Sequence, residues 1–430
     1  MSFHLFKSSR QLAIPSLKEQ TIKKPYVEFE PEYVYVPLSR NGKALTETRR
    51  IGDYVARGTL LALDDDDFPI YSSVSGHIQE KKMMDFANGR MMAFVIKNDH
   101  QHTFELRNPL PKPAECSPED IFKAIKDSGS IGLGGAGFPT YRKYTKKADY
   151  LIINAVECEP YLTCDNVMGV SHMDLVFAAL PYLVRLTGAK RVYFAAKEDH
   201  QLLLQEAENQ ASIHNELGVE IVRVPNVYPM GYERSLVRYI LHKEYDSLPI
   251  EVGAIVNNIC TIMMLGERFL YGTVPVTRCL TVAGLVNKPQ SVFTPAWVLA
   301  SDLIDFCGGR TTKKPTFVID GGPMTGRAHR EDYVTCLQSN GVLVFKDKET
   351  RSEPCWHCGD CCNNCPMDLQ PVQIQMALKR KDIKRLIELK ADKCINCGLC
   401  SYVCPAHIDV SNNVQIARGL VLQAKRGEKK

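Results

Sequence analysis

Apolar and polar positions follow different rhythms in different parts of the chain. "ADYLIINAVE", "AKRVYFAAKED" and "GVEIVRVPNVYP" are short apolar runs of strand character. "MDLVFAALPYLVRLTG" and "HQLLLQEAENQ" alternate with them at helical spacing. This alternation predicts a parallel α/β sheet with helices on both faces, whose ligand sits beyond the carboxyl ends of the strands. Residues 34–98 instead read as short strands separated by turns at Gly52–Asp53 and Ser75–Gly76. In "QPVQIQMALKRKDIKRLIELKAD" (370–392), Val372, Ile374, Ala377 and Leu378, then Ile383, Leu386, Ile387 and Leu389, recur at near-helical spacing. Two short helices with their apolar stripe on their own core are expected there. The opposite face carries Lys379, Arg380, Lys381, Lys384 and Arg385, read as a solvated face, with docking of an acidic electron carrier as the alternative. The best membrane candidate, "LVFAALPYLV" (175–184), is short and broken by Pro181, so no transmembrane segment is expected.

Composition narrows the class. With 430 residues, 45% hydrophobic and 24% charged, the chain has room for two to four globular domains. A net charge of +4 is too small to argue for a nucleic-acid partner. The N-terminus lacks the apolar core and cleavage site of a signal peptide. Of the 16 cysteines, eight are scattered, which suggests free thiols in a reducing cytoplasm.

The other eight occupy the motif positions of "CWHCGDCCNNCP" (355–366) and "CINCGLCSYVCP" (394–405), each of the form C-x-x-C-x-x-C-x-x-x-C-P, with Cys362 counted outside the motif. Structural zinc sites favour separated C-x-x-C pairs. This spacing is that of two-cluster ferredoxins, in which the fourth cysteine of each run ligates the other cluster. The expected ligand sets for two [4Fe–4S] clusters are Cys355, Cys358, Cys361 and Cys404, and Cys394, Cys397, Cys400 and Cys365. Zinc or a redox-silent site is the alternative, and Cys362 is read as a neighbour rather than a ligand.

Clusters take electrons singly, whereas a nicotinamide gives two as hydride, and a flavin converts between them. "GSIGLGGAGFPTYRKY" (129–144) follows a helix pattern with Ser117 as N-cap and Glu119 and Asp120 in its first turn. Its glycines can bring backbone N–H groups to a phosphate. On these residues alone, a tight turn is an equal reading.

The loop "GLGGAGFPTYRKY" resembles the flavin-binding loop of the NADH-oxidising subunit of respiratory complex I. "YLIINAVECEPYLTCD", "YPMGYERSL" and "VGAIVNNICT", followed by two ferredoxin runs, are similar in order and spacing to the C subunit of the Rnf electron-transport complex. The cobalamin reductase of propanediol metabolism and the electron-transfer protein of proline reductase share the same parts. The resemblance implies that Gly132, Gly134, Gly135 and Ala136 lie along FMN and that Lys143 contacts its phosphate region. It implies that Asn154 and Glu157 line the flavin pocket and Glu159 the nicotinamide pocket. It further implies that Glu233 lies near flavin and dinucleotide, and Asn257 and Asn258 near the FMN phosphate. On that resemblance Glu157 and Glu159 are expected to be the acids nearest the chemistry. Leu133, Val156 and Tyr232 depart from complex I at positions bearing on the nicotinamide.

Residues 34–98 resemble the barrel-sandwich of biotinyl and lipoyl carriers. The hairpin "DDDDFPIYSS" has no lysine, so no such group is expected, and the hairpin is given a structural or docking role. Residues 278–326 resemble the soluble-ligand-binding β-grasp (SLBB) domain, and their "GGPMTG" loop is read as structural. The expected architecture is α/β multidomain. It comprises an N-terminal extension and barrel-sandwich (1–110), a Rossmann-like FMN/NADH α/β domain (111–272), a β-grasp domain (273–345) and a helical two-cluster ferredoxin domain (346–430). The implied protein is a cytoplasmic oxidoreductase, peripheral on the membrane's inner face if it works with membrane Rnf subunits. It passes electrons between NADH, FMN, two [4Fe–4S] clusters and a redox partner, either ferredoxin-type, an Rnf subunit or a reductase. A relay that binds no nicotinamide is the rival reading.

Overall fold

The computed structural model describes residues 11–135, 137–347 and 351–427. The predicted α/β unit is a four-stranded parallel sheet in the order Val219–Val224, Arg191–Lys197, Tyr150–Ala155, Ala254–Asn258. Helices Met173–Thr187 and Ile259–Tyr271 pack on one face, and Glu233–Leu241 covers the other. Helix Pro118–Asp127 begins at Ser117, whose side chain accepts from Asp120 N–H while Asp120 reaches back, as the sequence pattern predicts. Pro181 lies inside Met173–Thr187 without ending it. The strand Ala254–Asn258, five residues and too short a run to show a period, is not among the strands expected from the pattern, nor is the helix Ile259–Tyr271 after it. No single helix among the described residues is long and apolar enough to cross a membrane.

The N-terminal barrel is built on the long hairpin Gly76–Phe86 and Gly89–Asn98, flanked by Tyr33–Pro37 and Tyr54–Val55. Gly76 has φ +145°, and a Cβ there would lie 1.9 Å from Lys97 O, so the "SVSG" turn admits only glycine. The acidic hairpin docks inward. Asp64 pairs with Arg40 and Asp66 with Arg142, and Phe68 packs 5.4 Å from Tyr141 beside the flavin loop.

The chain before the barrel threads elsewhere. Leu12 bridges Tyr228, and Val27–Glu28 pairs in parallel with Gln290–Pro295. It thereby joins a mixed six-stranded sheet made mainly by residues 277–346, with helix Ala300–Phe306 beside it. The C-terminal unit has the two expected helices, Pro371–Lys379 and Ile383–Glu388. Their buried residues Ile374, Ala377 and Leu386 pack on Val410, Val414, Ala417 and Val421 of Val410–Gly427. The sequence reading missed this long helix, although those four positions keep helical spacing.

Candidate functional site

Asn154, next to the last residue of its strand, and Asn258, the last of the adjacent one, are register partners, so the sheet itself sets two of the expected flavin residues side by side. Asn154 accepts from Val156 N–H at 3.0 Å and donates to Gly231 O at 2.8 Å, holding the 228–233 segment over the strand end. Asn258 caps Ile259–Tyr271 and donates to Asp165 at 2.5 Å. Gly134, at φ +74°, is so close that its Cβ would lie 3.0 Å from Asn258 Nδ2, while Gly134 and Gly135 are exposed. Gly132 N–H closes the loop on Phe138 O. Ala136 lies outside the described residues. Lys143 donates to Val256 O at 2.6 Å and pairs with Glu233 at 2.7 Å. Asn257 donates to Tyr144, and its Oδ1 is buried without a partner.

Glu157 is buried, accepts from Asp165 N–H at 3.1 Å, and leaves Oε2 without a hydrogen-bond partner. Its counter-charge is Lys18, equally buried, with Nζ 3.7 Å from Oε2 and bonded to the carbonyls of Glu157 and Leu162. Nothing in the sequence pattern announced Lys18. Burial pushes the Glu157 carboxyl up, against the pull of Lys18. Glu157, Cys164 and Asp165 lie close enough to chelate a metal, but Lys18 and Arg278, which is 4.0 Å from Asp165, already supply the opposing charge. Glu159 points elsewhere: its oxygens accept from Met324 N–H and the Thr325 hydroxyl of the "GGPMTG" loop. Of the three departures from complex I, Leu133 and Val156 are buried. Tyr232 turns toward the cysteine domain.

The cysteines fall into the two expected sets. Cys355, Cys358, Cys361 and Cys404 line one cavity with Val372, Ile408 and other neighbours. Cys365, Cys394, Cys397 and Cys400 line a second with Ile395, Leu399 and Val414. Cys362 lines neither. Four thiols converging on one largely apolar cavity is a donor set that suits a [4Fe–4S] cluster. The open glycine backbone likewise suits a phosphate, and the orphaned Asn257 and Glu157 oxygens, both acceptors, suit the N–H and hydroxyl donors of a flavin.

The second set abuts the α/β unit. Tyr228 donates to Cys397 O at 2.6 Å, and Tyr232 reaches Asn396 O at 3.4 Å. Cys158, Met324 and Leu399 complete one apolar cluster with Tyr228 and Cys397. Both tyrosines lie in the stretch matched to the Rnf pattern, but their contact with a distant cysteine loop has no local signature.

Family models match residues 8–101 (RnfC barrel sandwich hybrid domain), 125–267 (Nuo51 FMN-binding domain) and 354–408 (4Fe-4S dicluster domain). The C subunit of the proton-translocating ferredoxin:NAD(+) oxidoreductase complex of Clostridium ljungdahlii is 30% identical, over 85% of this chain and 83% of its own. That of the Na(+)-translocating complex of Acetobacterium woodii is 31% identical, over 84% of each chain. A chain of an NAD+-reducing [NiFe]-hydrogenase shares the fold, with a TM-score of 0.51 at 19% identity, over 73% of this chain and 64% of that one. The chain belongs to the family of C subunits of Rnf-type ion-translocating ferredoxin:NAD(+) oxidoreductase complexes.

Proposed function

We propose that this chain exchanges electrons between NAD(H) and a redox partner within a membrane-attached Rnf-type complex. The observation that carries this reading is the hydrogen-bonded contact between the second cysteine loop and the segment over the flavin strand ends. FMN held there would convert a hydride's two electrons to single ones, and two [4Fe–4S] clusters would carry them onward.

The chain's own residues supply position and electrostatics. Gly132, Gly134, Gly135 and Ala136 would cradle the flavin, with Lys143, Asn257 and Asn258 toward its phosphate. Asn154, Glu157 and Glu233 would line the ring and dinucleotide side. Glu157, buried against Lys18, would hold its place as a hydrogen-bonding group rather than shuttle protons freely. Cys394, Cys397, Cys400 and Cys365 would receive electrons first. Cys355, Cys358, Cys361 and Cys404 would pass them outward, because Cys355 and Cys358 are exposed. We assign 273–345 to a β-grasp domain on its mixed sheet and single helix, and the remaining boundaries as 1–110, 111–272 and 346–430.

Anaerobic protein carrying FMN and both clusters is to be titrated with NADH while flavin and iron–sulfur absorbance are recorded. Bleaching of both is expected. Centres that bleach with dithionite but not with NADH would leave only a relay fed by another protein.

A further inference from the structure

The "GGPMTG" loop (321–326) belongs to the six-stranded sheet, yet it touches both Glu159, two residues on from Glu157, and the second cysteine loop. On one side it holds Glu159: Met324 N–H donates to Oε2 at 3.0 Å and the Thr325 hydroxyl to Oε1 at 2.5 Å. Gly322 makes room, since a Cβ there would lie 2.2 Å from Glu159 Oε2. On the other side it presses on the cysteine loop. Gly398 has φ +77°, and its Cβ would lie 2.3 Å from Met324 O. The Met324 side chain joins Cys397, Leu399, Tyr228, Tyr232 and Cys158 in one apolar cluster. The loop is itself tight, with Gly326 N–H bonded to Gly322 O at 2.8 Å. Tyr228 grips the same cysteine loop from the α/β unit at Cys397 O. Residues 395–399 are therefore held by two separate domains.

We infer that the 321–326 loop is a clamp that fixes the separation of the flavin pocket from the Cys394–Cys400 loop. Thr325, Gly322 and Gly398 are positioning residues for the electron passing between them, and Glu159 is the clamp's tether. This inference rests on the proposed function. The step moves one electron and makes or breaks no bond, so its rate responds to separation, and a rigid three-way junction is the means of setting that.

The test uses Thr325→Val, Thr325→Ser and Gly398→Ala in the full chain, loaded anaerobically with FMN and both clusters. Stopped-flow mixing with NADH reads flavin and cluster bleaching separately. EPR of dithionite-reduced samples reads the second cluster without turnover. Thr325→Val and Gly398→Ala should bleach flavin at the wild-type rate and the cluster several-fold more slowly. Gly398→Ala should shift the second cluster's EPR signal, and Thr325→Ser should restore wild-type behaviour. Cluster bleaching at the wild-type rate in both variants would overturn the clamp, as would slowed flavin bleaching with the cluster phase unchanged relative to it. Should Gly398→Ala lose its clusters, Thr325→Val, a near-isosteric change of an exposed side chain, decides. If wild-type flavin does not bleach with NADH, the nicotinamide reading fails instead. The same cluster phase is then followed after photoreduction of the flavin.

Discussion

Two cysteine loops of one pattern meet different surroundings. In each a glycine at positive φ, Gly359 (+84°) or Gly398 (+77°), opens a one-turn helix, Asp360–Asn363 or Leu399–Tyr402. Around the first, Cys355 and Cys358 are exposed and Trp356 is 58% exposed. Around the second, Cys397 and Leu399 are buried under Tyr228, Tyr232 and Met324. The two ligand loops share one pattern and differ in their neighbours, and in the proposed route those neighbours set which end each loop would serve. Burial and hydrogen bonding around the sulfurs also tune cluster potential, so the proposed route expects the two centres to differ in potential.

Cys394→Ser should have the largest effect. Flavin still bleaches with NADH, but the first cluster stays oxidised until dithionite is added, as absorbance and EPR will read. Cys355→Ser should act further out: flavin and second cluster are reduced by NADH as in wild type, while transfer to an external acceptor is lost. Equal behaviour of the two variants would erase the distinction between the loops.

Lys18→Met probes the dry side of the flavin pocket, and should cost about 3–5 kcal/mol in denaturant unfolding by leaving Glu157 buried without its counter-charge. Burial holds the Glu157 carboxyl above its ordinary 4.5. The folded state binds that proton more tightly than the unfolded chain. Its contribution is thus fully present below the unfolded value and lost as pH rises through the folded one. Without Lys18 the folded value climbs, so the variant's deficit should deepen from acid to neutral pH. Tyr228→Phe should have the smallest effect, about 1–3 kcal/mol for an unpaired Cys397 carbonyl, read as faster hydrogen exchange in residues 395–399.

What the sequence disclosed follows a physical divide. The helix capped by Ser117, three of the four parallel strands and the division of the cysteines rest on local spacing, and each was legible. The strand Ala254–Asn258 is too short to show a period. Lys18 is an ordinary lysine until folding brings it against the carbonyl of Glu157, 139 residues along the chain. The "GGPMTG" loop is read from sequence only as structural, and its contacts with Glu159 and Gly398 join segments far apart in the chain. Motifs announce ligands, whereas the groups that position those ligands are scattered and have no pattern of their own.

The order of the two loops is tested most directly by freeze-quench EPR after mixing wild-type protein with NADH, using the Cys355→Ser and Cys394→Ser spectra to identify each signal. The signal of the cluster on the Cys394 loop should rise first and that of the Cys355 loop after it. Appearance of the Cys355 signal first, or of neither while dithionite reduces both, would contradict the route.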